Sequence, residues 1–107
     1  MFDFERMRRL IRELPKSLIE QDALEADLIE KAELEEAYAE AIKELRDMRK
    51  QLRPMIDKLG SPKERAAMRL RYLHGYSIDQ IANDANSGYS RSAVHRYLES
   101  AEKKINR

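Results

Sequence analysis

Arg91, Ser92, His95 and Arg96 fall within the run RSAVHRY, and together they present the donors that nucleic-acid recognition uses. Arginine can pair bidentately with guanine, and serine can donate or accept at any base pair. Cationic and small polar side chains also hold backbone phosphates. With Val94 at the centre of a buried stripe, and roughly 100° of rotation per residue, Ser92, Arg96, Glu99 and Lys103 share the outer face of a helix. Arg91 and His95 lie on one flank of that face. This pattern predicts that Arg91, Ser92 and Arg96 reach base edges and that His95 and Lys103 meet phosphate. Ser77, Gln80 and Ser90 join the predicted phosphate set, and both serines also read as helix caps.

Other chemistries lack their parts. The 107 residues include no cysteine, three glycines and two histidines, so no thiolate site and no glycine-rich phosphate loop can be assembled. His74 and His95 are too far apart in sequence to form a helical ligand pair. No set of nucleophile, base and orienting group is recognisable, so neither an enzyme nor a metal or cofactor site is expected. Nothing approaches a membrane-spanning apolar run, which makes a cytoplasmic location the default expectation.

Two helices joined by a turn must position these side chains. Ile78, Ile81, Ala82 and Ala85 form one apolar stripe; Val94, Leu98, Ala101 and Ile105 form a second. Asn86-Ser87-Gly88-Tyr89-Ser90 lies between them, rich in residues that tolerate turn dihedrals. The pair reads as a helix-turn-helix, whose second helix presents its first turns to the major groove. Tyr72, Tyr89 and Tyr97 read as core or turn packing.

Further upstream, Phe4, Met7, Ile11 and Leu14 predict a short amphipathic helix ended by Pro15. Ser17 and Glu20 form a capping-box pattern, and no Gly or Pro occurs between Leu18 and Leu52. A coiled-coil-like helix is predicted there, seamed by Leu24, Leu28, Tyr38, Ile42, Leu45 and Leu52 and interrupted by Lys31 and Glu35. At roughly 50 Å it needs a partner surface. That surface is a second copy of the chain, a dimer being favoured, the first helix folded back as a hairpin, or both.

Pro54 is expected to break or kink the long helix at Arg53, and Gly60 to end the brief apolar turn of Met55, Ile56 and Leu59. Ser61-Pro62-Lys63-Glu64 then combines a cap, a proline at the first helical position and a capping-box acid. The helix it opens is predicted to run to His74, with Ala66, Ala67, Leu70 and Leu73 inward, and to stop at Gly75. No strand-like alternation appears, so the fold class is all-α: residues 1–53 form a helical oligomerisation region and 54–107 a tri-helical domain.

Charge divides along the same line. Residues 17–47 carry three basic against eleven acidic side chains, and residues 48–107 carry thirteen basic against six acidic. The basic end is the one expected to meet nucleic acid, with Lys63, Arg65, Arg69 and Arg71 available to widen the footprint.

The succession Glu64-Arg65, Leu70-Arg71-Tyr72, Gly75, Ser77, Ile81-Ala82, Ser90-Arg91-Ser92, Val94 and Ala101-Glu102-Lys103-Lys104-Ile105 resembles region four, the C-terminal helix-turn-helix of bacterial sigma factors. With the long charged helix in front, the chain looks like the small phage sigma-like regulators of the ArpU and RinA type. Its turn is longer than that of sigma factors, which carry Gly-Ile where this chain has Asn86-Ser87-Gly88-Tyr89. The resemblance implies a sequence-specific, double-stranded DNA-binding transcription regulator, with RNA polymerase as a further partner of the long helix. It independently favours Arg91, Ser92 and Arg96 as readers. Two other expectations fit the same architecture: the DNA-recognition small subunit of a phage packaging terminase, and an RNA polymerase or protein adaptor that does not touch DNA.

Overall fold

The computed structural model describes residues 1–15, 28–83 and 88–107, with the backbone alone at 28–31 and 34. Every regular element among the described residues is helical. The helices are α1 (Phe4–Glu13), α2 (Leu28–Ala37), α3 (Ala39–Asp57), α4 (Pro62–Met68), α5 (Ile78–Asn83) and α6 (Arg91–Ile105), and α4 runs on into a π-helical turn at Arg69–Leu73.

The starts of these helices are written in their sequences. Asp3 caps α1 by accepting from the Arg6 N–H at 2.9 Å. Ser61 caps α4, with Pro62 at the first helical position, where a missing N–H costs nothing. Ser90 caps α6, accepting from the Ala93 N–H at 3.1 Å. Gly75, at φ 74°, ends the π turn, and the Tyr76 N–H reaches back to the Leu70 carbonyl at 2.9 Å.

One core joins the two ends of the chain. Met7, Leu10 and Ile11 of α1 meet Leu45, Leu52 and Ile56 of α3, and this layer continues through Met68 and Tyr72 to Ile81, Val94 and Leu98. Met7, Leu52 and Ile56 are fully buried. Removing each of these side chains from water stabilises the fold by roughly 1.5–3 kcal/mol. At the chain ends, the Phe2 N–H donates to Asn106 Oδ1 at 2.8 Å, and Asn106 Nδ2 donates to the Phe2 carbonyl at 2.9 Å.

Among the described residues the expected long coiled-coil helix is not shown. The N-terminal helix α1 is short, and the helical stretch after Leu28 is divided at Tyr38, whose φ of −112° and ψ of 21° leave the helical region. No glycine or proline marks that break. Beyond it, α3 turns Leu45, Leu52 and Ile56 onto α1 and the π turn, so these residues fill the chain's own core. The Ser17–Glu20 capping box lies outside the described residues. Pro54 does not break the helix but sits inside α3, three residues before its end. The carbonyl that its missing N–H leaves unpaired belongs to Lys50, on an exposed part of the helix where water can reach it.

Two further expectations shift. The buried face of α4 and the π turn centres on Ala67, Met68 and Tyr72, with Ala66, Leu70 and Leu73 only half-buried. Glu64 does not complete the capping box with Ser61. Glu64 is 5% exposed, and its carboxylate turns toward α6, accepting from Ser100 Oγ at 2.7 Å and from Lys104 Nζ at 2.9 and 3.1 Å.

Candidate nucleic-acid interface

Helix α6 buries Ala93, Val94, Leu98 and Ala101 and leaves Arg91, Ser92, His95, Arg96, Glu99 and Lys103 exposed. The burial pattern fixes the rotation of the helix, so Arg91, Ser92 and Arg96 share its first two turns on the solvent side. Gly88, at φ 62°, supplies the left-handed residue at the end of the connection from α5. Tyr89 packs its ring edge-on against Tyr97, with centroids 5.3 Å apart, which fastens that connection to α6. No atom lies within 4 Å of where a Cβ on Gly88 would stand, so Gly88→Ala meets a conformational cost alone. It is expected to lower stability by about 1 kcal/mol, measurable by thermal unfolding; no change at all would contradict the left-handed turn.

The predicted phosphate residues on α5 are engaged in a complete capping box. Gln80 Oε1 accepts from the Ser77 N–H at 2.8 Å, and Ser77 Oγ accepts from the Gln80 N–H at 3.1 Å. The Ser77 hydroxyl proton stays available to a phosphate. Arg91 reaches across to Asp79 of α5 at 3.3 Å, with both side chains about two-thirds exposed. A pair this wet is worth at most about 1 kcal/mol, so a nucleic acid can displace it. Lys103 stands 3.9 Å from Glu99, one turn back.

Beside this face lies a cluster that sequence reasoning did not find. Arg8 of α1 donates to the Tyr72 hydroxyl at 3.0 Å and to Glu102 of α6, and the same hydroxyl donates to Glu102 at 3.1 Å. Burial, reinforced by the negative charge of Glu102, pushes the Tyr72 hydroxyl up to about 12, so it remains a donor at any physiological pH. Arg49 Nε caps the Tyr72 carbonyl at 3.0 Å, while its Nη2 is buried without a hydrogen-bond partner. Arg71 Nη1 donates to the Tyr76 carbonyl at 3.2 Å. Sequence separations of 94 between Arg8 and Glu102 and 64 between Arg8 and Tyr72 hide this arrangement from any local pattern. Its one sequence signal is the unbalanced arginine content of α1.

The residues of the predicted oligomerisation seam differ in burial. Leu24 lies outside the described residues, as does the side chain of Leu28. Tyr38 is 39% exposed, Ile42 is half-buried against the core, and Leu45 and Leu52 are inside it. Among the described residues no group of three or more potential metal ligands occurs, and no helix is long and apolar enough to cross a membrane.

No curated protein and no solved structure matches the chain. Residues 17–106 match the family described as protein of unknown function, DUF1492, and this span takes in α2 to α6 and all but the last residue of the C-terminal end. By that match the chain belongs to the DUF1492 family.

Proposed function

We propose that the protein is a sequence-specific, double-stranded DNA-binding transcription regulator, of the phage sigma-like kind that its C-terminal half resembles. The observation that carries this reading is the solvent side of α6: Arg91, Ser92 and Arg96 stand together on the first turns of a capped helix held across α5. Ser77, Gln80, His95 and Lys103 surround that face and supply phosphate contacts; Ser90 serves the helix as its cap. In this reading α6 enters the major groove and α5 lies over the backbone. RNA polymerase and a second copy of the chain are the further partners proposed, working in the cytoplasm.

The test is selection of bound duplexes from a random pool by the purified chain at near-physiological salt. An enriched site supports sequence reading, and an inverted repeat with half-sites about one helical turn apart indicates a dimer. Retention without enrichment points to non-specific or packaging work, and no retention to an adaptor. On the enriched site, Arg96→Ala is expected to cost about 1–3 kcal/mol and to relax base choice at one position. Lys103→Ala should weaken all sequences alike. An equal loss on every sequence for Arg96→Ala would remove it from the reading set.

A further inference from the structure

A cleft of about 510 Å³ opens between α1, the π turn and α6, on the flank of α6 that carries His95. Tyr72 and Leu98 line it together with four basic side chains, Arg8, Arg71, His95 and Lys103, and two carboxylates, Glu99 and Glu102. Both carboxylates already have cationic partners, Glu102 in Arg8 and Glu99 in Lys103. Arg71 has no carboxylate within ion-pair distance among the described residues. It is nonetheless half-buried, fixed by the Tyr76 carbonyl and set 5.7 Å over the Tyr72 ring.

Keeping a guanidinium away from water beside other cations is unfavourable unless an anion balances it. Burial lowers the proton affinity of Arg71, Glu102 opposes this, and the nearby charges of Arg8 and Arg12 add to the lowering. An arriving anion would offset the repulsion from Arg8 and Arg12 by its own charge. Because Arg71 is already held in place, binding would cost it little side-chain entropy.

We infer that Arg71, flanked by Arg8 and Arg12, binds a backbone phosphate of duplex DNA alongside the groove face of α6, and that Glu102 competes for Arg8 when DNA is absent. This rests on the DNA-binding reading above and extends it to α1, outside the helix-turn-helix. The position selects backbone over bases. His95 lies on the cleft wall and is the immediate neighbour of Arg96, so a duplex on α6 passes its phosphates across the cleft mouth. Arg8 and Arg71 come from α1 and the π turn, outside the helix that enters the groove.

The test is equilibrium binding of the full chain to its selected duplex and to an unrelated duplex of equal length, over a series of salt concentrations. Arg71→Gln and, separately, the exposed Arg12→Ala are expected to weaken both duplexes several-fold, with a salt slope shallower by about one for each phosphate no longer neutralised. Glu102→Gln is expected to tighten both several-fold, because Arg8 is released; a gain of affinity cannot come from misfolding. Unchanged slopes for both arginine variants, or weaker binding by Glu102→Gln, would overturn the inference while leaving the groove reading of α6 intact. Failure of the unaltered chain to retain any duplex at low salt would overturn both.

Discussion

Leu52→Ala is expected to lower the unfolding free energy by about 3–5 kcal/mol, the upper part of the range for a leucine truncated in a core. Leu52 is fully buried, on the face of α3 that meets α1 and the π turn. Neighbours from several elements surround it, so the cavity cannot close by a small shift of one helix. The same residue is a seam position in the sequence pattern, and denaturant unfolding separates the two roles. If Leu52 acts within one chain, the loss appears equally at two well-separated protein concentrations. A deficit below about 1 kcal/mol, or one that vanishes at high protein concentration, would return Leu52 to an interface between copies.

Lys104→Met should cost about 2–3 kcal/mol, because it leaves the Glu64 carboxylate buried with only the Ser100 hydroxyl for support. A fully buried broken pair costs more, but the Lys104 side chain is 42% exposed while that of Glu64 is 7% exposed. Burial pushes the Glu64 carboxyl up; the Ser100 and Lys104 hydrogen bonds together with the Lys104 charge outweigh it, and the group titrates below its ordinary 4.5. A folded value held down means stabilisation that is fully present above 4.5 and is lost as pH falls through the folded value. The gap between the parent chain and Lys104→Met should therefore be widest at neutral pH and narrow on acidification. A gap that stays constant from neutral to strongly acidic pH would show that the pair contributes nothing to stability through ionisation.

What can be read from the sequence is what the chain encodes locally. Ser61-Pro62, Ser77 with Gln80, Ser90 and Gly75 each set a helix end through bonds to residues at most six positions away, and the structure places those ends where the residues predict. The exposed face of α6 is legible from one apolar stripe. The break at Tyr38 carries no such signal, since Glu35, Glu36, Ala37 and Ala39 are all good helix formers. Pro54 misleads because a proline near a helix end orphans a carbonyl that water can satisfy. Glu64 misleads because its carboxylate, which the capping-box pattern assigns to the Ser61 N–H, pairs instead with a lysine forty residues away, while only its own N–H bonds to the Ser61 hydroxyl. The cleft of Arg8, Arg71 and Tyr72 depends on α1 docking against α3 and the π turn, which no spacing rule encodes.

The paired hydrogen bonds between Phe2 and Asn106 span 104 positions. Closing a loop of that length costs entropy before any contact offsets it, whereas α4, α5 and α6 meet through far shorter loops. The α4–α6 unit is thus expected to assemble first and the N-terminal helix α1 to dock last, after the folding barrier has been crossed. Contacts made that late leave the folding rate nearly untouched and act on the unfolding rate. The knot of hydrogen bonds at the chain ends is in that sense a latch on lifetime: it sets how long the native state persists more than how quickly it is reached.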